Sequence, residues 1–183
     1  KIVATLGITD AAQAMRVHDI IAGYYRRLRD IYDARDAQIK AAKQQAGENK
    51  DAADAGVLAA TNDVRLRLDA RHKEFIARLL AELTPAQVDQ VKDGLTYGVR
   101  PLTYRVYCDM LPNLTDEQKR QIMAWLYEAR EYAMDGGSAQ EKHGWFGKYK
   151  GKINNYLAAA GYNLKQAEKD WAARRKAATG TQP

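Results

Sequence analysis

One block concentrates the chain's chemistry: His143-Gly-Trp-Phe-Gly-Lys-Tyr-Lys-Gly-Lys-Ile-Asn-Asn-Tyr156. A sugar is held by flat apolar faces for its C–H bonds, by amides for its hydroxyls and, where it is acidic, by cations for its carboxylates. Trp145, Phe146, Tyr149 and Tyr156 supply rings, Asn154 and Asn155 supply amides, and Lys148, Lys150 and Lys152 supply charge. His143 adjoins the rings and is the histidine best suited to move a proton there. Gly144, Gly147 and Gly151 would let a ligand come close to backbone. The spacing also supports a second reading. On a helix Trp145, Tyr149, Ile153 and Tyr156 share a face, which would make them core with the lysines turned outward.

A carboxylate set for glycoside chemistry is available upstream in Glu128, Glu131 and Asp135, whose helical spacing equally fits ordinary surface pairing. The histidines His18, His72 and His143 form no i, i+4 pair and no His-Glu-x-x-His motif, so no metal or cofactor is expected. His72 falls on an apolar stripe and reads as a satisfied core histidine. Cys108 stands alone, which excludes an intrachain disulfide. The stretch Thr96 to Tyr107 carries three tyrosines and two arginines; it reads as one wall of a polar groove or as a connector packed by its rings.

Charge is placed unevenly. Residues 138–183 hold nine Lys and Arg against three Asp and Glu, which accounts for the whole net charge of +6. A basic end invites an anionic partner, or is simply a solvated helical face. Nucleic acid is not the expected partner, because acids are interspersed in the last helix and no recognition motif is present. No apolar run approaches the roughly 18–20 residues that span a membrane. The first residue is Lys1, as removal of a signal peptide or simple truncation would leave it.

The elements that must position these groups are helical throughout. Thr9-Asp10 reads as a cap, after which Val17, Ile21, Tyr24, Leu28 and Ile31 recur at four- and three-residue steps to about Lys43. Gly47-Glu-Asn49 breaks the helix. A second then carries Val57, Thr61, Val64, Leu68, His72, Phe75 and Leu79. Together they predict an antiparallel hairpin over residues 1–82, with a homodimer through its stripe as one expectation. Thr84-Pro85 opens a third helix, Pro101 a fourth with Leu102, Val106 and Met110 inward, and Thr115 a fifth with Gln118 completing a capping box. Ile122, Trp125, Leu126 and Ala129 form the fifth helix's buried stripe, and Asp135-Gly-Gly137 ends it through a left-handed glycine. Ser138 opens the helix with the aromatic block, Gly161 ends it, and Asn163 starts a basic last helix with Leu164, Ala167 and Trp171. Residues 177–183 read as a frayed tail. The fold class is all-α, a single domain with a long hairpin packed on several shorter helices.

Two starts, Leu83-Thr-Pro-Ala-Gln87 and Leu114-Thr-Asp-Glu-Gln118, are echoed imperfectly at Ile8-Thr9, and repeated capping chemistry accounts for them. They also resemble the Leu-Thr-x-x-Gln signature of small periplasmic stress proteins that act as chaperones or metal-stress sensors. A longer likeness covers residues 83–175. It runs through Leu83-Thr-Pro-Ala-Gln-Val-Asp-Gln-Val-Lys-Asp-Gly-Leu-Thr-Tyr-Gly98, Met110-Leu-Pro-Asn-Leu-Thr-Asp-Glu-Gln118, Glu128-Ala-Arg-Glu-Tyr-Ala-Met-Asp135 and Lys142 to Leu157. These segments resemble a family of secreted bacterial proteins catalogued as a domain of unknown function, whose members often accompany polysaccharide-degradation genes, pectin-related ones among them. The resemblance implies export and a glycan connection and supplies no catalytic residues. The expected function is therefore a secreted or periplasmic accessory protein of glycan use that binds a carbohydrate, an acidic one included, around residues 143–156. The alternatives are a glycan lyase or hydrolase using His143, Tyr149 and an acid from residues 128–135, and a structural or chaperone-like helical protein.

Overall fold

The computed structural model describes residues 1–179. A 3-10 turn at Val3–Thr5 precedes α1 (Ala11–Ala46), α2 (Lys50–Leu80), α3 (Pro85–Leu95), α4 (Val99–Met110), α5 (Asp116–Met134), α6 (Ala139–Ala159) and α7 (Leu164–Thr179). The fold is all-α, with no strand among the described residues. Contacts divide the chain into two compact units, residues 1–91 with Asp135–Gly137, and residues 92–134 with the described residues from 138 onward.

In the first unit α1 and α2 form the hairpin. Asp10 caps α1 by accepting the Ala12 N–H at 2.9 Å, and Asn49 caps α2 by accepting that of Ala52 at 3.1 Å. Between them Gly47 takes φ +55°, a left-handed turn that ends α1 three residues beyond Lys43. All five stripe residues of α1 are buried. On α2 the stripe is Ala60, Val64, Phe75 and Leu79, with Ala60 inward in place of the exposed Thr61. Tyr24 stacks on Phe75 with centroids 3.9 Å apart. The stripes of both helices are buried within the hairpin itself.

Asp135–Gly137 belong to this unit for a polar reason. The Asp135 carboxylate accepts from the Tyr24 hydroxyl and lies 3.0 Å from His72 Nδ1, while its backbone carbonyl accepts from the Tyr32 hydroxyl at 2.8 Å. His72 is half-buried and satisfied, as its stripe position predicts. The end of α5 differs from expectation. Neither Gly136 nor Gly137 is left-handed. Gly137 is required by space instead, since a Cβ there would come within 2.7 Å of the Tyr32 ring.

In the second unit α5 and α6 pack along their lengths, α4 lies on α5, and α7 contacts α4 and α6. Ile122, Leu126, Ala129 and Ala133 of α5 meet Phe146, Tyr149, Ile153 and Leu157 of α6 in one apolar core. Thr115 and Gln118 cap α5 reciprocally, at 2.9 and 3.2 Å. Trp125 is only half-buried, at the rim of the stripe. The inward face of α4 is also corrected: Thr103 and Tyr107 are buried while Leu102 is 56% exposed. α4 starts at Val99, two residues before Pro101, behind the consecutive left-handed residues Tyr97 (φ +58°) and Gly98 (φ +66°). Tyr107 joins the apolar core of α5 and α6, and Thr103 lies one turn before it on the same face of α4. Residues 177–179 continue α7. The remainder of the expected frayed tail, residues 180–183, lies outside the described residues.

Candidate functional site

Because α6 is one helix, its block divides by angle at 100° per residue. Phe146, Tyr149, Ile153 and Leu157 lie within about 80° of arc and are buried, with Lys142 beside them. Trp145, Lys148, Lys152 and Tyr156 occupy one flank, His143, Lys150 and Asn154 the other, and Gly144, Gly147 and Gly151 the back. The two sequence readings each describe part of the helix. Phe146 is 1% exposed and offers no face to a ligand, whereas Trp145 keeps part of its ring at the surface.

The first flank meets α5 and forms an aromatic shelf. Tyr132 of α5, 48% exposed, stacks on Trp145 with centroids 4.6 Å apart and planes 18° apart, and on Tyr149 at 6.4 Å. About two turns of α5 earlier in the chain, Trp125 meets Tyr156 edge to face at 5.2 Å. Lys148 places its ammonium 5.1 Å from the Trp145 ring, and Lys152 lies 4.7 Å from Trp125 and 5.6 Å from Tyr149. Neither lysine has a carboxylate partner among the described residues, so ring quadrupoles hold both ammoniums and leave their charge uncompensated. Burial first, and then the Glu128 carboxylate accepting from it, push the Tyr149 hydroxyl well above the usual tyrosine range. It stays protonated there as a hydrogen-bond donor.

The second flank faces a groove of about 520 Å³ between α4, α6 and α7. Leu102, Val106 and Met110 line one side and Leu164 the other, with Lys150, Asn154, Lys165 and Glu168 at the polar edge. Tyr107, at the floor, donates to Asn154 Oδ1 at 2.6 Å, and burial pushes its hydroxyl up to about 12. His143 stacks on Tyr97 at 5.5 Å, apart from both sets of contacts. Asn155 is exposed.

The proposed carboxylate set is not assembled. Glu131 accepts from Lys92 at 2.8 Å and pairs with Arg130, and Asp135 is held by the tyrosines and His72 of the first unit. His143 and Tyr149 are six residues apart on α6, about 120° and 9 Å from one another, so they share no face for proton transfer. Among the described residues no three His, Cys, Asp or Glu side chains are grouped to hold a metal ion, and no helix is long and apolar enough to cross a membrane.

Sequence reasoning missed two buried cations. Arg130, 1% exposed, bonds Asp93 at 3.1 Å and Glu131 at 3.2 Å. Lys142, 4% exposed, donates to the carbonyls of Leu95 at 3.0 Å and Met134 at 3.4 Å. The only hint of Lys142 is its step to Phe146, four residues on, at the core angle of the helix.

The sequence profile of the family described as "Protein of unknown function (DUF3826)" matches residues 1–177. The chain belongs to that family. The match takes in the hairpin as well as the segments after residue 83, so DUF3826 includes both compact units. A search of curated proteins gives no match.

Proposed function

We propose that this DUF3826 protein is a carbohydrate-binding accessory protein of bacterial glycan use, secreted or periplasmic, and that it takes an acidic oligosaccharide on the α5–α6 shelf. The observation that carries the reading is the pairing of surface rings with uncompensated ammoniums: Tyr132 on Trp145, Lys148 beside Trp145 and Lys152 beside Trp125. A pyranose stacks its C–H face on the exposed ring area, and its uronate carboxylate draws the lysines off the rings into charge-assisted hydrogen bonds. Glu128 and the Tyr149 hydroxyl beside it give the sugar hydroxyls a polar edge to meet. Binding is favoured over turnover because His143 and Tyr149 share no face of α6 and because Glu131 and Asp135 are committed elsewhere, which leaves Glu128 as a single carboxylate on the shelf. The test is calorimetric titration of the full chain with a homogeneous oligogalacturonide. Trp145→Ala should weaken binding about tenfold, roughly 1.4 kcal/mol, with an unchanged melting curve. Unaltered affinity in Trp145→Ala and Tyr132→Ala together rejects the shelf, and release of unsaturated or newly reducing ends makes the protein an enzyme.

A further inference from the structure

We infer that the groove between α4, α6 and α7 is a second binding site, for a small monoanionic amphiphile with an aliphatic body, a medium-chain carboxylate in kind. The groove exposes alkyl side chains where the shelf exposes rings. Leu102, Val106 and Met110 recur at four-residue steps along α4, a strip of about 12 Å at 1.5 Å per residue, with Leu164 opposite. A strip of that length suits an extended acyl chain and gives a sugar no flat face. Leu102 at 56% exposure is apolar surface left open on this wall.

The polar edge fixes the head group. Lys150 and Lys165 both line the groove, and neither has an ion pair among the described residues. The Tyr107 hydroxyl occupies Asn154 Oδ1, which leaves the Asn154 amide N–H groups as donors at the same edge. Two ammoniums and an amide against the single Glu168 carboxylate favour an anion over a cation. The volume of about 520 Å³ is in the range of small-molecule sites.

The probe is octanoate, titrated below its micellar concentration into the isotopically labelled full chain, with 1-octanol as the neutral comparison. Saturable amide shifts centred on Val106, Asn154 and Leu164 are expected, with 1-octanol binding several-fold more weakly. The double variant Lys150→Met, Lys165→Met should weaken octanoate about tenfold. Leu102→Asp, at an exposed position, should abolish saturation without changing the melting curve, and supplies the test if the double variant fails to fold. Trp145→Ala should leave octanoate affinity unchanged, which separates this site from the shelf. Scattered or unsaturable shifts, equal binding of octanol and octanoate, or full affinity in either groove variant overturns the assignment.

Discussion

Arg130 shows how this molecule stabilises buried charge. Its guanidinium bonds Asp93 and Glu131, and it shares the Tyr127 ring with Arg100, at 4.9 and 4.4 Å respectively. Arg100 bonds Asp93 in turn and Lys92 bonds Glu131, so cations and carboxylates alternate through the cluster. Removing the central member leaves Asp93 to Arg100 alone and Glu131 to Lys92 alone, and takes the fork that joins the two carboxylates out of a largely desolvated place. Arg130→Ala should therefore lose roughly 3 kcal/mol in urea unfolding, and Lys at this position should not restore it, because an ammonium cannot span two carboxylates as a planar fork does. A loss within about 0.5 kcal/mol, the usual range for a surface substitution, would show the cluster to be solvated. None of this was legible in the sequence, since Asp93 is 37 residues from Arg130 and a polar burial depends on partners that no periodicity reveals. Trp145 and Tyr149 were legible by type. Their partner Tyr132 was not, because it stands on another helix.

At the scale of the element, N-terminal capping chemistry is written locally: Asp10, Ser138 and the Thr115–Gln118 pair are legible as caps, while Asn49 reads only as part of a helix break. Asp10, Asn49, Ser138 and the Thr115–Gln118 pair each accept or exchange hydrogen bonds within three residues. Thr84 and Gln87 form the same box, and Gln87 Nε2 also donates to the Leu6 carbonyl at 2.8 Å. At the Ile8-Thr9 start the late glutamine, Gln13, bonds the Glu82 carbonyl instead of a cap. The face of α4 was misread by one residue step: Thr103 and Tyr107 lie about 100° around the helix from Leu102 and Val106, and local sequence does not show which of these neighbouring stripes meets the core. Glycines separate by the same logic of neighbours. Gly144, Gly147 and Gly151 have nothing within 4 Å of an added Cβ, whereas at Gly137 the Tyr32 ring is in the way. Gly147→Ala should raise stability by roughly 0.5–1 kcal/mol in thermal or urea unfolding, and Gly137→Ala should lower it. A stabilised Gly137→Ala would show that Tyr32 is free to move aside. Since the three exposed glycines lie on the back of α6, away from the shelf, Gly147→Ala should also leave glycan affinity intact.

For the whole molecule, the net charge of +6 arises within residues 138–183, the stretch that carries Lys148 and Lys152. Attraction between exposed charges is screened over a Debye length of about 10 Å at 0.1 M salt. Affinity for an oligogalacturonide should accordingly fall as salt rises, and affinity for a neutral oligosaccharide of equal length should hold nearly constant. Parallel salt responses would remove the lysines from the account. The all-α class and the hairpin were readable from periodicity, because α1 and α2 bury continuous stripes against each other. The division of the aromatic block into a shelf and a groove was not, since it depends on which helices flank α6. The measurement that tests the central claim most directly follows the three indole N–H signals during titration with an oligogalacturonide. Trp125 and Trp145 belong to the shelf, and Trp171 stands on α7 beside Arg175. The account predicts saturable shifts of the Trp125 and Trp145 signals with Trp171 unmoved. Three unmoved signals, or a shift of Trp171 alone, would contradict it.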